Sequence, residues 1–457
     1  MNNLNLENIK GKRVLVVGLG KSGIAAVQAM LKLGADVSVQ DSKEAEAVDG
    51  QLLTFLEGKG VSCYFHEIPE HVENFDMLIL SPGVNPELPF IREAEAGGAE
   101  IIGELEIAYR IARGTFIAIT GTNGKTTTTT LVGEIFKNAK RKTFVVGNIG
   151  VAVISKALES DEDDWLVTET SSFQLQTTRY FKPMVSAILN LTPDHLNRHH
   201  TMEAYGQAKA AIFRNQDENG YCVANYDDKA CFALTKGCKA KIVPFSRKEE
   251  LDFGAYLKGE MLVIRNEEGK LIELCSRNDL KIIGDHNVEN CLAAAAICYF
   301  AGIDRNTIAE TLVSFGGVEH RIEFVREING VTYYNDSKST NPVATITALN
   351  TFTNPTILLL GGFERNQNFN ELSDYLGHVK CIICYGETKN RIKEFADKQN
   401  IKCFAFDSLK ESIQKAVEIS ERNDTVLLSP ASASWDQYDN FETRGNEFKE
   451  TIWKLEE

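Results

Sequence analysis

Thr120-Gly121-Thr122-Asn123-Gly124-Lys125-Thr126-Thr127 follows the apolar run 116–119 and precedes a helix-forming segment. Those residue types suit phosphate binding. Backbone N–H groups of a glycine turn and the positive end of a helix face an anion, the Lys125 ammonium reaches terminal phosphates, and the Thr126 hydroxyl is a ligand type for Mg²⁺. The glycines stand closer together than in the common P-loop, with Thr122 and Asn123 alone between them. ATP binding is the expectation. Three more polar stretches follow apolar runs: Gly147-Asn148-Ile149-Gly150, Thr168-Glu169-Thr170-Ser171-Ser172-Phe173-Gln174, and Asn190 through Asp194-His195. Glu169 offers the hard oxygen that Mg²⁺ prefers, and His195 a less common imidazole. A second glycine turn, Gly18-Leu19-Gly20-Lys21-Ser22-Gly23, follows the run 13–17 and is trailed by Asp41 at the end of another. This is a diphosphate fingerprint, open to NAD or to a nucleotide-linked substrate.

A chain of 457 residues exceeds a single core, so several domains are expected. The net charge of −15 argues against a nucleic-acid partner, and anionic substrates then need locally placed cations. No apolar run reaches the length of a membrane span, and residues 1–8 lack the basic and apolar regions of a leader, so a cytoplasmic location is expected. The ten cysteines have no paired spacing and read as reduced core thiols, Cys291 and Cys298 among them. Cys381 and Cys384 have redox-motif spacing, but in a strand they would face opposite sides.

Alternating strand and helix patterns divide the chain into three α/β segments, with expected domains 1–104, 105–317 and 318–457. In the second, strands are expected at 143–146, 166–169 and 186–191, then a small irregular β region between Tyr221 and Glu273. Gly284-Asp285-His286-Asn287 opens an Ala-rich helix. In the third, strands are expected at 331–334, 357–360, 382–385 and 426–428, with helices from Pro342 and near Phe448. Polar clusters at 335–341 and 429–436 fall at strand ends, where open parallel sheets bind ligands, and suggest a second face closing on the ATP domain.

The loop at 120–127, E-T-S-S-F-Q at 169–174, Asp194-His195, His286-Asn287 and His320-Arg321 resemble the Mur ligase family, which joins amino acids to carboxylates in cell-wall peptide assembly. N-D-S-K-x-T-N at 335–341, S-P-A-x-A-S-x-D-Q at 429–437, N-F-x-x-R-G at 440–445 and Ser81-Pro82-Gly83-Val84 resemble the members that add D-glutamate, so the resemblance spans the whole chain. It implies Rossmann-like first and third domains around a P-loop ATPase-like centre with a mostly parallel sheet. It also implies an ATP-dependent ligase acting through an acyl phosphate on UDP-N-acetylmuramoyl-L-alanine and D-glutamate.

Residue roles come with that resemblance. Gly20, Lys21, Ser22, Asp41 and Ser42 would hold the uridine diphosphate, with Ser81, Asn148, Ser171 and Gln174 toward the sugar and peptide. Gly121, Thr122, Asn123, Gly124, Lys125, Thr126 and Thr127 would cradle ATP. Asn287 and Asn290 would lie at the adenine, and Arg321 and Asp336 would reach across from the third domain. Lys125, Glu169, His195, Lys209, His320 and Lys338 are the expected catalytic residues. Thr126, Glu169, His195 and Lys209 would hold two Mg²⁺ ions, Lys209 as a carbamate. By its own pattern Lys209 is a lone lysine on an apolar helix, which reads plainly as a solvated head. D-Glutamate would fall to Lys338, Thr340, Arg365, Ser434, Trp435 and Phe441. Arg365 stands where part of the family has Lys, and Trp435 where another apolar residue is common. The implied partners are small molecules, and the chain is expected to be a monomer. Two other readings stand beside this one: a relative that adds a diamino acid or polyglutamate, and a dinucleotide-dependent oxidoreductase or nucleotide switch using the first turn.

Overall fold

The computed structural model describes residues 9–455, so the leader expectation, which rests on residues 1–8, lies outside the described residues. Contacts divide the chain into two compact units, Met1–Asp279 with Val288–Val313, and Leu280–Asn287 with Ser314–Glu457.

The first unit holds two sheets. In the first, β1 (Arg13–Val17), β2 (Asp36–Asp41), β3 (Ser62–Phe65), β4 (Met77–Leu80) and β5 (Glu100–Gly103) lie in the order β3-β2-β1-β4-β5, all parallel. The apolar runs of the central strands β1 and β4 are buried on both faces, as a parallel sheet covered by helices requires, while the edge strand β3 is partly exposed. The second sheet has the order β14-β13-β12-β11-β10-β9-β6-β8-β7. Its strands are β6 (Thr115–Thr120), β7 (Thr143–Gly147), β8 (Trp165–Glu169), β9 (Val185–Ile188), β10 (Tyr221–Asn225), β11 (Lys241–Ser246), β12 (Gly254–Lys258), β13 (Met261–Arg265) and β14 (Leu271–Ser276). Pairing is parallel from β7 to β12 and antiparallel across β12, β13 and β14.

Two expectations are corrected here. The stretch from Tyr221 to Glu273 is β structure as expected but not irregular: β10 pairs with β9 and the rest continues the central sheet, which covers an edge that would otherwise expose unpaired N–H and C=O groups. Strand β9 stops at Ile188 rather than Leu191, because Asn190 is drawn into the phosphate loop and the Leu191 N–H turns to Asp228 Oδ2 at 2.7 Å.

The second unit holds β15 (Glu323–Ile328), β16 (Val331–Asn335), β17 (Thr356–Gly361), β18 (Val379–Tyr385), β19 (Cys403–Ala405) and β20 (Thr425–Leu428), in the order β15-β16-β20-β17-β18-β19. The edge strand β15 was not anticipated. Glu323, Arg326 and Glu327 interrupt its apolar pattern, and it pairs antiparallel with β16. Cys381 and Cys384 do fall on opposite faces, one in each of the two cores that sandwich this sheet. All ten cysteines are free. Among the described residues no helix is long and apolar enough to cross a membrane.

Candidate functional site

At the end of β6 the chain turns through Gly121 (φ 155°) and Gly124 (φ 80°) into the helix Lys125–Asn138. A Cβ on Gly124 would lie 2.3 Å from Asn290 Oδ1, so the turn needs glycine for space as well as for conformation. Two asparagines clasp the loop: Asn123 N–H donates to Asn190 Oδ1 at 2.8 Å, and Asn190 Nδ2 returns a bond to Asn123 O at 3.1 Å. Thr122 Oγ1 donates to Thr192 O at 3.1 Å and lies 3.2 Å from the Tyr205 hydroxyl. Thr127 is buried beneath the turn, and Thr126 is half-buried at the helix start. Lys125 does not project outward: its Nζ folds back onto Gly121 O at 2.9 Å and Thr122 O at 2.8 Å.

Glu169 ends β8 and is 1% exposed, which excludes an ordinary surface carboxylate. Its Oε1 accepts from Asn148 Nδ2 at 2.8 Å, while Oε2 is buried with no partner. An orphaned, desolvated carboxylate oxygen is costly unless a cation completes it. The Asn148 loop approaches so closely that a Cβ on Gly147 would lie 2.2 Å from Glu169 O. Lys209 is also 1% exposed; its Nζ donates to Gly121 O at 2.8 Å and lies 4.5 Å from the Tyr205 ring centroid. Burial first, and the Lys125 charge second, hold its pKa down to about 7. The plain reading of a solvated head is thereby excluded.

His195 is exposed with a left-handed φ of 53°, beside Asp194 at 3.5 Å and against the Phe173 ring at 4.9 Å. His199 is the structural histidine of this stretch, buried with its ring nitrogens 2.9 Å from Ser172 Oγ and 3.5 Å from Gln176 Nε2. Ser171 and Gln174 form a capping box on the helix Ser172–Gln176, so both side chains serve the fold here. Arg198, to which the sequence assigned no role, donates to Gly83 O at 3.3 Å and Val84 O at 2.7 Å and stacks over Phe173.

The first glycine turn is built differently. Gly18 takes φ 87°, Ser81 Oγ donates to its carbonyl at 2.7 Å, and a Cβ on Gly23 would lie 1.9 Å from Gly18 O. Both oxygens of Asp41 are engaged by backbone, Leu19 N–H at 2.6 Å and Lys43 N–H at 3.0 Å, so this carboxylate first of all shapes the turn. Gly20 caps the helix Lys21–Lys32 with no side chain filling its N-terminus. An open cleft of about 750 Å³ lies there, lined by Gly20, Lys21, Ser22, Asp41, Ser42 and Ser81 among others.

In the second unit, Asp336 at the end of β16 is buried, accepting from Ser339 Oγ at 2.5 Å, Ser429 Oγ at 2.7 Å and Ile322 N–H at 3.2 Å. Burial pushes its pKa up to about 6 against those bonds. His320 is buried with φ 64°, its Nδ1 2.9 Å from Asn335 Nδ2; burial first and the Lys449 charge second lower its pKa. Lys338 Nζ lies 5.6 Å from the Phe441 ring centroid, and Arg321 is exposed. Thr340 is half-buried and Ser434 buried, while Arg365 and Trp435 stand exposed in contact with each other. Asn287 donates to Ile283 O at 2.7 Å in this unit, whereas Asn290 belongs to the first, where Thr128 Oγ1 donates to it at 3.3 Å. Arg444, quoted only as part of a motif, is wholly buried: Nε donates to Ser337 Oγ at 2.9 Å, and the terminal nitrogens to Ser337 O at 2.8 Å and Ser432 O at 3.0 Å. It ties the two polar strand ends together.

Two glycine turns at strand ends, each leading into a helix, are the arrangement of a nucleotide-using α/β enzyme, and the chain's similarity to known proteins says which family it falls in. Three family descriptions match: Mur ligase MurD-like, N-terminal domain at residues 12–103, Mur ligase middle domain at 119–298, and Mur ligase, glutamate ligase domain at 320–432. The chain belongs to the Mur ligase family. It is 48% identical over 454 residues to the UDP-N-acetylmuramoylalanine--D-glutamate ligase of Alkaliphilus oremlandii (strain OhILAs), covering 98% of this chain and 99% of that one. It is 45% identical over 451 residues to the same-named protein of Clostridioides difficile (strain 630), covering 98% and 100%. Among solved structures, the fold is similar to a UDP-N-acetylmuramate-alanine ligase from Thermotoga maritima (TM-score 0.58, 20% identity, 97% of this chain and 99% of that one). It is also similar to the MurF ligase of Thermotoga maritima in complex with ADP (TM-score 0.57, 18% identity, 99% and 97%).

Proposed function

We propose that this chain uses ATP to join D-glutamate by an amide bond to UDP-N-acetylmuramoyl-L-alanine. The observation that carries the reading is the pairing, in one unit, of a phosphate loop that has Lys125, Lys209 and a carboxylate with an unpartnered oxygen, Glu169, with a second diphosphate-type turn whose carboxylate, Asp41, is taken up by backbone N–H groups. The acceptor carboxylate attacks the γ-phosphorus and ADP leaves; the glutamate amine then attacks the acyl carbon and phosphate leaves. The loop N–H groups and Lys125, released from its own carbonyls, would neutralise the transferring phosphoryl group. Among the described residues no three His, Cys, Asp or Glu side chains converge, so Glu169 and His195 need other oxygen donors to complete a metal set. The Thr126 hydroxyl and a carbamate on Lys209 supply that type, and the unpartnered Glu169 oxygen fits a cation. Mg²⁺ bound there would screen the phosphate charges. The neutral Lys209 amine favoured by its lowered pKa adds to CO₂, forming the N–C bond and releasing one proton.

In this reading residues 1–104 hold the UDP-linked acceptor, 105–317 the ATP, and 318–457 the amino acid through Lys338, Thr340, Arg365, Ser434 and Phe441. Arg321 and Asp336 serve the ATP, and His320 the chemistry. The chain works as a monomer in the cytoplasm on small molecules alone. The test is phosphate release across a panel of amino acids. Turnover should need ATP, UDP-N-acetylmuramoyl-L-alanine and D-glutamate together. Faster turnover with a diamino acid or alanine would overturn the substrate assignment.

A further inference from the structure

The segments that follow β17 and β20 run side by side and are tied to each other by hydrogen bonds. Phe363 N–H donates to Ala433 O at 2.8 Å, Gln367 Nε2 reaches Ser432 Oγ at 2.7 Å, and Arg365 N–H donates to Gln367 Oε1 at 2.8 Å. Arg391 pairs with Glu364 and donates to Gln367 O, fixing the outer side. On this frame stand two large exposed side chains. The Arg365 guanidinium lies 3.9 Å from the Trp435 ring centroid, and Phe363 packs near the same indole at 6.0 Å. Trp435 is 59% exposed, so burial alone does not explain where it points.

A guanidinium attracts an aromatic ring through its flat face and donates hydrogen bonds along its edge. Stacking on Trp435 therefore occupies the part of Arg365 that cannot hold a carboxylate. It also removes rotamer freedom that a loose arginine would lose on binding. We propose that Trp435 is a positioning residue: it holds Arg365 with its edge donors available to a carboxylate of the incoming dicarboxylic amino acid. This rests on the reading of Arg365 as part of the amino-acid pocket.

The test is a double-mutant cycle in the full chain, reading the KM for D-glutamate and kcat separately. Arg365→Ala should raise that KM about tenfold or more, as loss of a charge-assisted bond does. Trp435→Leu should raise it about three- to fivefold, the size of an exposed cation–π contact, with a smaller change in kcat. Trp435→Phe should recover part of the loss, and the double variant should be no worse than Arg365→Ala alone. Melting temperatures near that of the parent confirm that each variant is folded. An unchanged KM in folded Trp435→Leu, or losses that simply add, would overturn the positioning role. If Arg365→Ala itself leaves the KM unchanged, the pocket assignment fails and this inference with it.

Discussion

After β1 the chain turns at Gly18 and enters a helix whose N-terminus is open, beside a carboxylate, Asp41, already spent on Leu19 and Lys43 backbone. After β6 it turns at Gly121 and Gly124 into another helix, but here Lys125 and Lys209 both sit on the Gly121 carbonyl and Glu169 ends the neighbouring strand with a bare oxygen. Both turns provide the same backbone donors and the same helix dipole for a diphosphate. What differs is the next shell. Lysines stand at both, Lys21 and Lys43 at the first and Lys125 and Lys209 at the second, so the difference is the carboxylate: Asp41 is used by the fold, and Glu169 keeps an oxygen free for a cation.

The largest effect should come from removing the cation of the second turn. Lys125→Ala is expected to lower ATP-dependent phosphate release by about a thousandfold, since one donor to a developing charge is worth about a hundred- to a thousandfold. The acceptor should still bind with near-parental affinity in calorimetry. Release near the parental rate in a folded variant would place the chemistry elsewhere and erase the contrast.

Lys209 comes next. Lys209→Ala is expected to lose about a hundredfold in turnover and to regain part of it with formate or acetate, which can stand in for a carbamate. Its pKa in the fold, about 7 against an ordinary 10.5, gives the pH dependence a sign. The neutral amine exists above 7 and is protonated below it, so carbamate and activity should fall as pH drops through 7. Stability runs the same way: between 7 and 10.5 the unfolded chain binds the extra proton, so this group makes the fold more stable as pH rises there. Full activity in the unrescued variant would remove the carbamate from the site.

Much of this was legible because the chemistry sits at strand ends, where an apolar run stops and a polar cluster begins. Thr120 to Thr127, Glu169 and Asn335 to Asn341 were all found that way. The first turn was legible as a strand–glycine turn–helix, while UDP and NAD stayed equally open, since backbone donors do not distinguish what a diphosphate is attached to. Long-range contacts left little trace. Nothing local tells that Arg198 will reach Gly83 and Val84, that Arg444 will be buried between Ser337 and Ser432, or that β10 will extend the central sheet. The edge strand β15 was missed because half-exposed strands lose the continuous apolar run. Asp41, Ser171 and Gln174 show the converse case: polar residues at the right places whose side chains are occupied by turn and cap bonds.

The first turn is best probed at Gly20. Its φ of −76° suits any residue, and a Cβ there meets nothing within 4 Å, unlike Gly23. Gly20→Val should therefore fold normally and fill the cleft. The expected result is a rise of about tenfold in the KM for UDP-N-acetylmuramoyl-L-alanine, with the KM for ATP little changed; tenfold corresponds to about 1.4 kcal/mol. Micromolar NAD(H) binding abolished by this substitution, with the muramoyl nucleotide unaffected, would assign the turn to a redox cofactor instead.

A third strand–turn–helix sharpens the contrast, because the protein itself fills it. Asn148 to Gly150 follow β7 and lead to the helix Val153–Ala157, whose Ile154 N–H donates to Glu104 Oε1 at 2.6 Å. The chain's own carboxylate thus occupies the place an anion would take, and its other oxygen is buried without a partner. Burial drives the Glu104 pKa from an ordinary 4.5 up to about 7, with the Ile154 and Val153 N–H groups pulling the other way. Between those values the folded chain keeps a proton that the unfolded chain has released. The stability this group contributes is therefore full below 4.5 and lost as pH rises through 7. Glu104→Gln cannot ionise. Its melting temperature should fall less than the parent's between pH 5 and pH 8, by about 2–4 °C if the protected term is near 1 kcal/mol. Parallel melting curves for the two proteins would mean that Glu104 is already ionised in the fold, with a partner yet to be found for its second oxygen.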